Sequence, residues 1–194
     1  MIEIEIDSGA SAEFRLAAQT FRNAALRSEL GVVQISAPQN LAAEAIAFAA
    51  NIETEATGAH GDLGTGRFIL LHEALEQEQW GGCFRIVCFA KSPLETDLGS
   101  DAQMSEVSWD WLTESLTRHD ARFAYEAGTA TRIISSGFGS LAGQSDHAEL
   151  EMRASWSPVD DDMAAHLEAW QDLVCIMSGF PPVVEGVTAL KVNR

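Results

Sequence analysis

The sequence predicts an α+β domain: an antiparallel sheet of about five strands with helices packed on it, in the order α-βββ-α-ββ-α. Three observations predict it. Residues 147–156 alternate, with Leu150, Met152, Ala154 and Trp156 on one side and Glu149, Glu151, Arg153 and Ser155 on the other, the period of a half-buried strand. Phe68-Ile69-Leu70-Leu71 and Ile86-Val87-Cys88-Phe89-Ala90 are apolar at odd and even positions alike, as in strands covered on both faces. Met163, Leu167, Trp170, Val174 and Met177 recur at the helical period.

Each element has its own signals. A first helix is expected over 12–30, with Ser11 as N-cap, Gly31 as stop, and a narrow apolar face of Phe14, Ala17, Phe21, Ala24 and Ala25. Val32 to Ser36 admit a short strand ended by Pro38. Residues 43–57 fit both periods; their threonines and the following glycine-rich loop favour a strand. Strands at 66–73 and 83–91 follow, then a helix over 107–119 with Trp109, Leu112 and Leu116 on one stripe. A second hairpin is expected at about 123–136 and 147–156. The last helix, 161–178, begins with Asp160-Asp161-Asp162 at the positive end of its dipole and is stopped by Ser178-Gly179 and Pro181-Pro182. Burying its stripe is worth on the order of 10 kcal/mol gross, at ~1.5–3 kcal/mol per large side chain.

Sliding the chain by 65 residues matches Arg67 to Arg132, Ile69 to Ile134, Gln79 to Gln144, Ser92-Pro93 to Ser157-Pro158 and Asp97 to Asp162. The match suggests a duplicated ββα unit, with repeats at 66–119 and 131–178, inside a single domain of residues 1–182 followed by a tail, 183–194.

With 29 acidic and 12 basic side chains the net charge is −17. Such a surface repels phosphate backbones and anionic lipid, which argues against direct nucleic-acid or membrane binding. Arg15, Arg22 and Arg27 are the one candidate basic patch. Three cysteines without CxxC or Cys/His spacing read as small buried hydrophobes, so neither disulfides nor zinc nor any other cofactor is indicated. The first ten residues lack signal-peptide character and no apolar run has the ~20 residues needed to span a bilayer, which points to a cytoplasmic protein.

Candidate site residues are few. Among His60, His72, His119, His147 and His166, adjacent pairs such as His72-Glu73 point to opposite strand faces, and Asp162 with His166 could pair on one helical turn. His119 suits a helix C-terminus as a cation. The glycine-rich stretches 58–66 and 137–139 join or precede strands and read as turns, not phosphate cradles, and the Asp160–162 run lacks the spacing of a calcium loop. Arg67 and Arg132 stand at equivalent repeat positions and read as paired carboxylate or anion clamps, or as partners of the local acids. Trp111 lies off the apolar stripe of its helix and is expected to be exposed, as aromatics at binding surfaces are.

Several stretches together resemble one family: Ala37-Pro38-Gln39-Asn40-Leu41, Thr65 to His72, Trp109-Asp110-Trp111-Leu112-Thr113, Arg153 to Pro158, Ala169 to Cys175 and Gly179-Phe180-Pro181-Pro182. The set is similar to the actinobacterial domain-of-unknown-function 3000 family over about residues 13–182, which implies an actinobacterial cytoplasmic protein and carries no site residues across. The element order and acidity also resemble the type III secretion chaperone and YbjN-like layout, an analogy of order alone.

The function these features favour is a non-enzymatic, protein-binding or chaperone-like module, expected as a homodimer because strands apolar on both faces need cover from the first helix or from a second copy. A small-molecule binder or enzyme with Arg67, Arg132 and a histidine in a cleft between the repeats is the alternative, and an acidic regulator of a basic nucleic-acid-handling partner is a third.

Overall fold

The computed structural model describes residues 2–53, 63–143 and 145–182. Its elements are α1 (Ala12–Thr20), a 3₁₀ turn (Phe21–Asn23), β1 (Leu30–Ile35), β2 (Glu44–Ile52), β3 (Thr65–Gln77), β4 (Gly82–Leu94), α2 (Thr96–Ser100), α3 (Met104–Arg118), β5 (Phe123–Ser135), a 3₁₀ turn (Gly139–Leu141), β6 (His147–Pro158) and α4 (Met163–Met177). The tail 183–194, most of the glycine-rich loop with His60, and Gln144 lie outside the described residues.

The six strands form one antiparallel sheet in the order β1-β2-β3-β4-β6-β5, one strand more than expected. The sixth is β1, the short strand that Val32 to Ser36 admitted, and the strand favoured at 43–57 is β2 over Glu44–Ile52. The expected helix over 12–30 is corrected to α1 and one 3₁₀ turn. Ser11 caps it, its Oγ accepting the Phe14 N–H at 3.2 Å. The helix stops early because α4 claims the next backbone groups. The Ala25 N–H donates to Glu168 Oε1 at 2.7 Å and the Arg27 N–H to Gln171 Oε1 at 3.0 Å, while the Ala25 carbonyl accepts from Gln171 Nε2 at 3.1 Å. Those groups cannot also close helical turns. Gly31, expected as the helix stop, sits inside β1.

α4 is buried nearly all round, from Met163 to Met177, as befits a helix enclosed by the sheet, α1 and α3. It ends in a Schellman motif: Gly179 has φ 86°, the Phe180 N–H donates to the Cys175 carbonyl at 2.9 Å and the Gly179 N–H to the Ile176 carbonyl at 3.0 Å. Ser92 Oγ on β4 donates to the Met177 carbonyl at 2.7 Å, fastening the helix end to the sheet. The helix approaches β3 so closely that a Cβ on Gly66 would lie 2.6 Å from Val174 Cγ2 and 2.8 Å from Trp170 Cζ2.

The register decides which face the helices cover. Phe48, Phe68, Cys88, Ala154 and Gly128 form one row across five strands. Phe21, just beyond α1, packs on Phe48 and Phe68 with centroids 5.0 and 5.7 Å away, and Trp170 of α4 lies 5.7 Å from Phe68. Trp109 of α3 covers Gly128, where a Cβ would come within 2.6 Å of its ring. All three long helices therefore share one face. The first helix does not cover the other face, which no element overlies among the described residues.

The β3-β4-helix and β5-β6-helix segments recur in order, but the 65-residue matches do not share a facing. Arg67 pairs through Phe89 and Arg153 to Thr129, so Arg132, three residues further, falls on the opposite face. Ser92 likewise points to the helices and Ser157 away from them. An odd shift inverts facing in a two-residue period.

Candidate functional site

The uncovered face is built on β3, β4 and β6. Down β4 it presents Arg85, Val87, Phe89 and Lys91, flanked by Leu71, Ile69, Arg67 and Thr65 on β3 and by Ser157, Ser155, Arg153 and Glu151 on β6. Ile69, Val87 and Phe89 are half-buried, and Val33 on β1 is 55% exposed on the same face. The Arg153 guanidinium carbon lies 4.9 Å from the Phe89 ring centroid, a cation–π contact on the face itself. Lys91 pairs with Glu149 at 2.9 Å, and Arg153 more loosely with Glu151 at 3.4 Å. Among the described residues neither a salt bridge nor a hydrogen bond engages Arg67, which is exposed beside Phe89.

Arg85 is the unusual member. It is 9% exposed, yet its partners are all neutral: the Tyr125 carbonyl at 2.8 Å, Ser157 Oγ at 3.1 Å and Ser155 Oγ at 2.7 Å. Burial lowers its pKa, and among the described residues no carboxylate offsets that cost. In a chain of net charge −17, four of its few cations thus gather around an apolar strip on one sheet face.

Arg132 stands on the helix-covered face, where its Nη1 donates to the Gly99 carbonyl at 3.2 Å. Arg67 and Arg132 are therefore separated by the sheet, and no single cleft contains both. Trp111, expected to be exposed, is half-buried against the core. Of the expected basic patch, Arg27 turns inward and Arg22 Nη2 lies 3.4 Å from the Ile4 carbonyl it donates to.

A second cluster gathers around Asp172 on α4, which is fully buried. Arg27 Nη1 donates to Asp172 Oδ1 at 2.7 Å, Arg118 Nη1 to its Oδ2 at 3.2 Å and His119 Nε2 to its Oδ2 at 3.0 Å. His119 Nδ1 donates to Glu168 Oε2 at 3.1 Å, and Arg27 Nη2 to Glu29 Oε1 at 2.6 Å. The bonds to Asp172 and Glu168 raise the His119 pKa to about 9 against the pull of burial. Burial pushes the Asp172 carboxyl up, but the bonds from His119 and Arg27 outweigh it and hold the group below the usual carboxylate range. The cluster borders a cleft of about 490 Å³ lined by Thr20, Asp161, Asp162 and Glu168 among others. With both ring nitrogens donating to carboxylates, His119 has no lone pair left to act as a base. The Thr20 hydroxyl donates to the Ala17 carbonyl at 2.7 Å and accepts the Met163 N–H at 3.0 Å.

His166 and Asp162 do not pair. Asp162 caps α4, accepting the Ala164 N–H at 3.1 Å, and His166 Nδ1 accepts the Trp156 indole N–H at 3.0 Å. Burial lowers the His166 pKa to about 4. His72 Nδ1 lies 2.6 Å from Glu44 Oε2, which also accepts the Ser11 hydroxyl at 2.6 Å, tying α1 to β2 and β3. Cys88 and Cys175 are buried and Cys83 is half-buried.

A family model described as a protein of unknown function (DUF3000) matches residues 10–188. The chain belongs to the DUF3000 family. No curated protein and no solved structure matches it. The matched span of this DUF3000 chain contains the whole sheet and all four helices, so both the open face and the Asp172 cluster lie within it. No helix among its described residues is long and apolar enough to cross a membrane.

Sequence reasoning missed Arg85, Phe89 and Arg153 as a group because which strand faces stay open is decided by helix placement. For the Asp172 cluster a signal existed: an acid between Gln171 and Leu173-Val174-Cys175 on an apolar helix must find cations if buried.

Proposed function

We propose that this chain is a non-enzymatic protein-binding module, chaperone-like in offering an open sheet face to a segment of another protein. The observation that carries the reading is the placement of α1, α3 and α4 on one side, which leaves Ile69, Val87 and Phe89 on the other without a covering element and only half-buried. Arg67, Arg153 and the unpaired charge of Arg85 around that strip select the occupant: a segment with apolar side chains flanked by carboxylates. The placement of Arg67 and Arg132 on opposite faces, and the engaged nitrogens of His119, favour this over a small-molecule site between the repeats.

Selection from a random dodecapeptide library tests it. Enriched sequences should combine Asp or Glu with aromatic or aliphatic residues. Their affinity, read by fluorescence anisotropy, should fall about tenfold or more in an Arg67→Ala/Arg153→Ala double variant that keeps its circular dichroism. Enrichment of basic peptides, binding indifferent to the double variant, or no enrichment at all would refute the reading.

A further inference from the structure

The sheet has two edges, and they are built differently. β1 has six residues, and the Gln34 side chain clasps the preceding chain, accepting the Glu5 N–H at 2.7 Å and donating to the Glu5 carbonyl at 2.8 Å. β5 has thirteen residues and contains neither proline nor lysine, the usual guards of an edge. A bulge between Ala124 and Ala127 disturbs its start, where Tyr125 has φ 55°, but Ala127 to Ser135 pair regularly with β6. Among the described residues no hydrogen bond engages the outer backbone edge of Ala127–Ser135. An unguarded edge of this length is a template for another strand.

The side chains of β5 say which strand. Ala127-Gly128-Thr129-Ala130-Thr131 are small, so their own side chains leave room for a second backbone beside the strand. The strand's two charges, Glu126 and Arg132, stand three residues either side of Thr129. We propose that two copies of this chain join along β5, antiparallel, about a two-fold axis at Thr129. Continued one residue beyond Ala127 into the bulge, that register brings Glu126 towards the partner's Arg132 and, by symmetry, Arg132 towards the partner's Glu126. Self-complementarity about one residue is what a two-fold interface requires, and an unrelated strand gives no reason for it. Arg132, one of the two arginines the sequence singled out, then serves assembly while keeping the helix face through Gly99. The pairing makes a continuous twelve-stranded sheet, with both helical layers on one side and both open faces on the other. It uses none of the open-face side chains of β3, β4 and β6.

Sedimentation equilibrium and light scattering on the full chain at micromolar concentration test it. The expected mass is that of a dimer. Glu126→Arg alone and Arg132→Glu alone each face like charges twice across the axis and should weaken dimerisation about tenfold or more, and the Glu126→Arg/Arg132→Glu double variant should recover it. The double variant also separates charge pairing from misfolding, since it carries both substitutions. A monomer throughout the range, a dimer indifferent to the single reversals, or a double variant as weak as the singles overturns the proposal. So does loss of the dimer in Arg67→Ala/Arg153→Ala, which would place the interface on the open face.

Discussion

Replacing His119 by glutamine should destabilise the fold near neutral and acid pH and have almost no effect in alkali. His119 sits between Glu168 and Asp172, its nitrogens 3.1 and 3.0 Å from their carboxylates, and its pKa rises from 6.5 to about 9. The folded state therefore holds the proton more tightly than the unfolded chain does. At ~1.4 kcal/mol per pH unit the gross linkage is about 3 kcal/mol. Part of the ring faces solvent, and screening reduces that to about 1–2 kcal/mol. Because the folded pKa is the higher one, this stabilisation is complete below 6.5, declines as pH rises from there, and is lost above about 9. Arg27 and Arg118 still neutralise Asp172 in the variant, so the substitution does not strand a buried charge. Urea unfolding of both proteins at about pH 6, 8 and 10 gives the difference directly. A difference that stays constant with pH, or grows towards alkali, would sink the assignment of His119 as a cation bound by two carboxylates.

Two further predictions concern the packing and the acid limb. Gly66→Ala forces a methyl against Val174 and Trp170, at 2.6 and 2.8 Å before relaxation, and should cost about 1–3 kcal/mol. Thermal unfolding reads that as a drop of several degrees, at ~2–4 °C per kcal/mol for a chain of this size; no drop would mean that α4 does not seat on β3 this closely. His166 has the opposite linkage to His119, since burial lowers it from 6.5 to about 4 and stability is lost as pH falls through that window. Substituting His166→Gln keeps an acceptor for Trp156 and removes the titration, so it should gain on the wild type by up to about 3 kcal/mol between those two pH values; parallel acid unfolding curves would refute a buried neutral imidazole.

Much of the fold was legible because its signals are local. The alternation of Leu150, Met152, Ala154 and Trp156 against Glu149, Glu151 and Arg153 separates the two faces of β6 as the structure does. Glycine and proline after α4 mark its end, and the stripe from Met163 to Met177 is buried. The first helix was overestimated because nothing local shows that Glu168 and Gln171, more than 140 residues away, bind the backbone of Ala25 and Arg27. Propensity yields there to tertiary hydrogen bonds. The site was less legible than the fold. Arg67 was singled out for scarcity and position and does lie on the open face, but its supposed twin, Arg132, faces the helices.

The sequence by itself determined the class of fold and the inward side of β6, both consequences of periods shorter than four residues. Only the tertiary structure decided that three helices crowd one face, that Asp172 gathers Arg27, Arg118 and His119, and that Arg85 is buried without a counter-charge. A period says which residues share a side of one strand or helix. It does not say what lies against that side, because the packing partner is set by the competition of every apolar face for cover and every buried charge for a counterion, and that competition is settled between elements far apart in the chain.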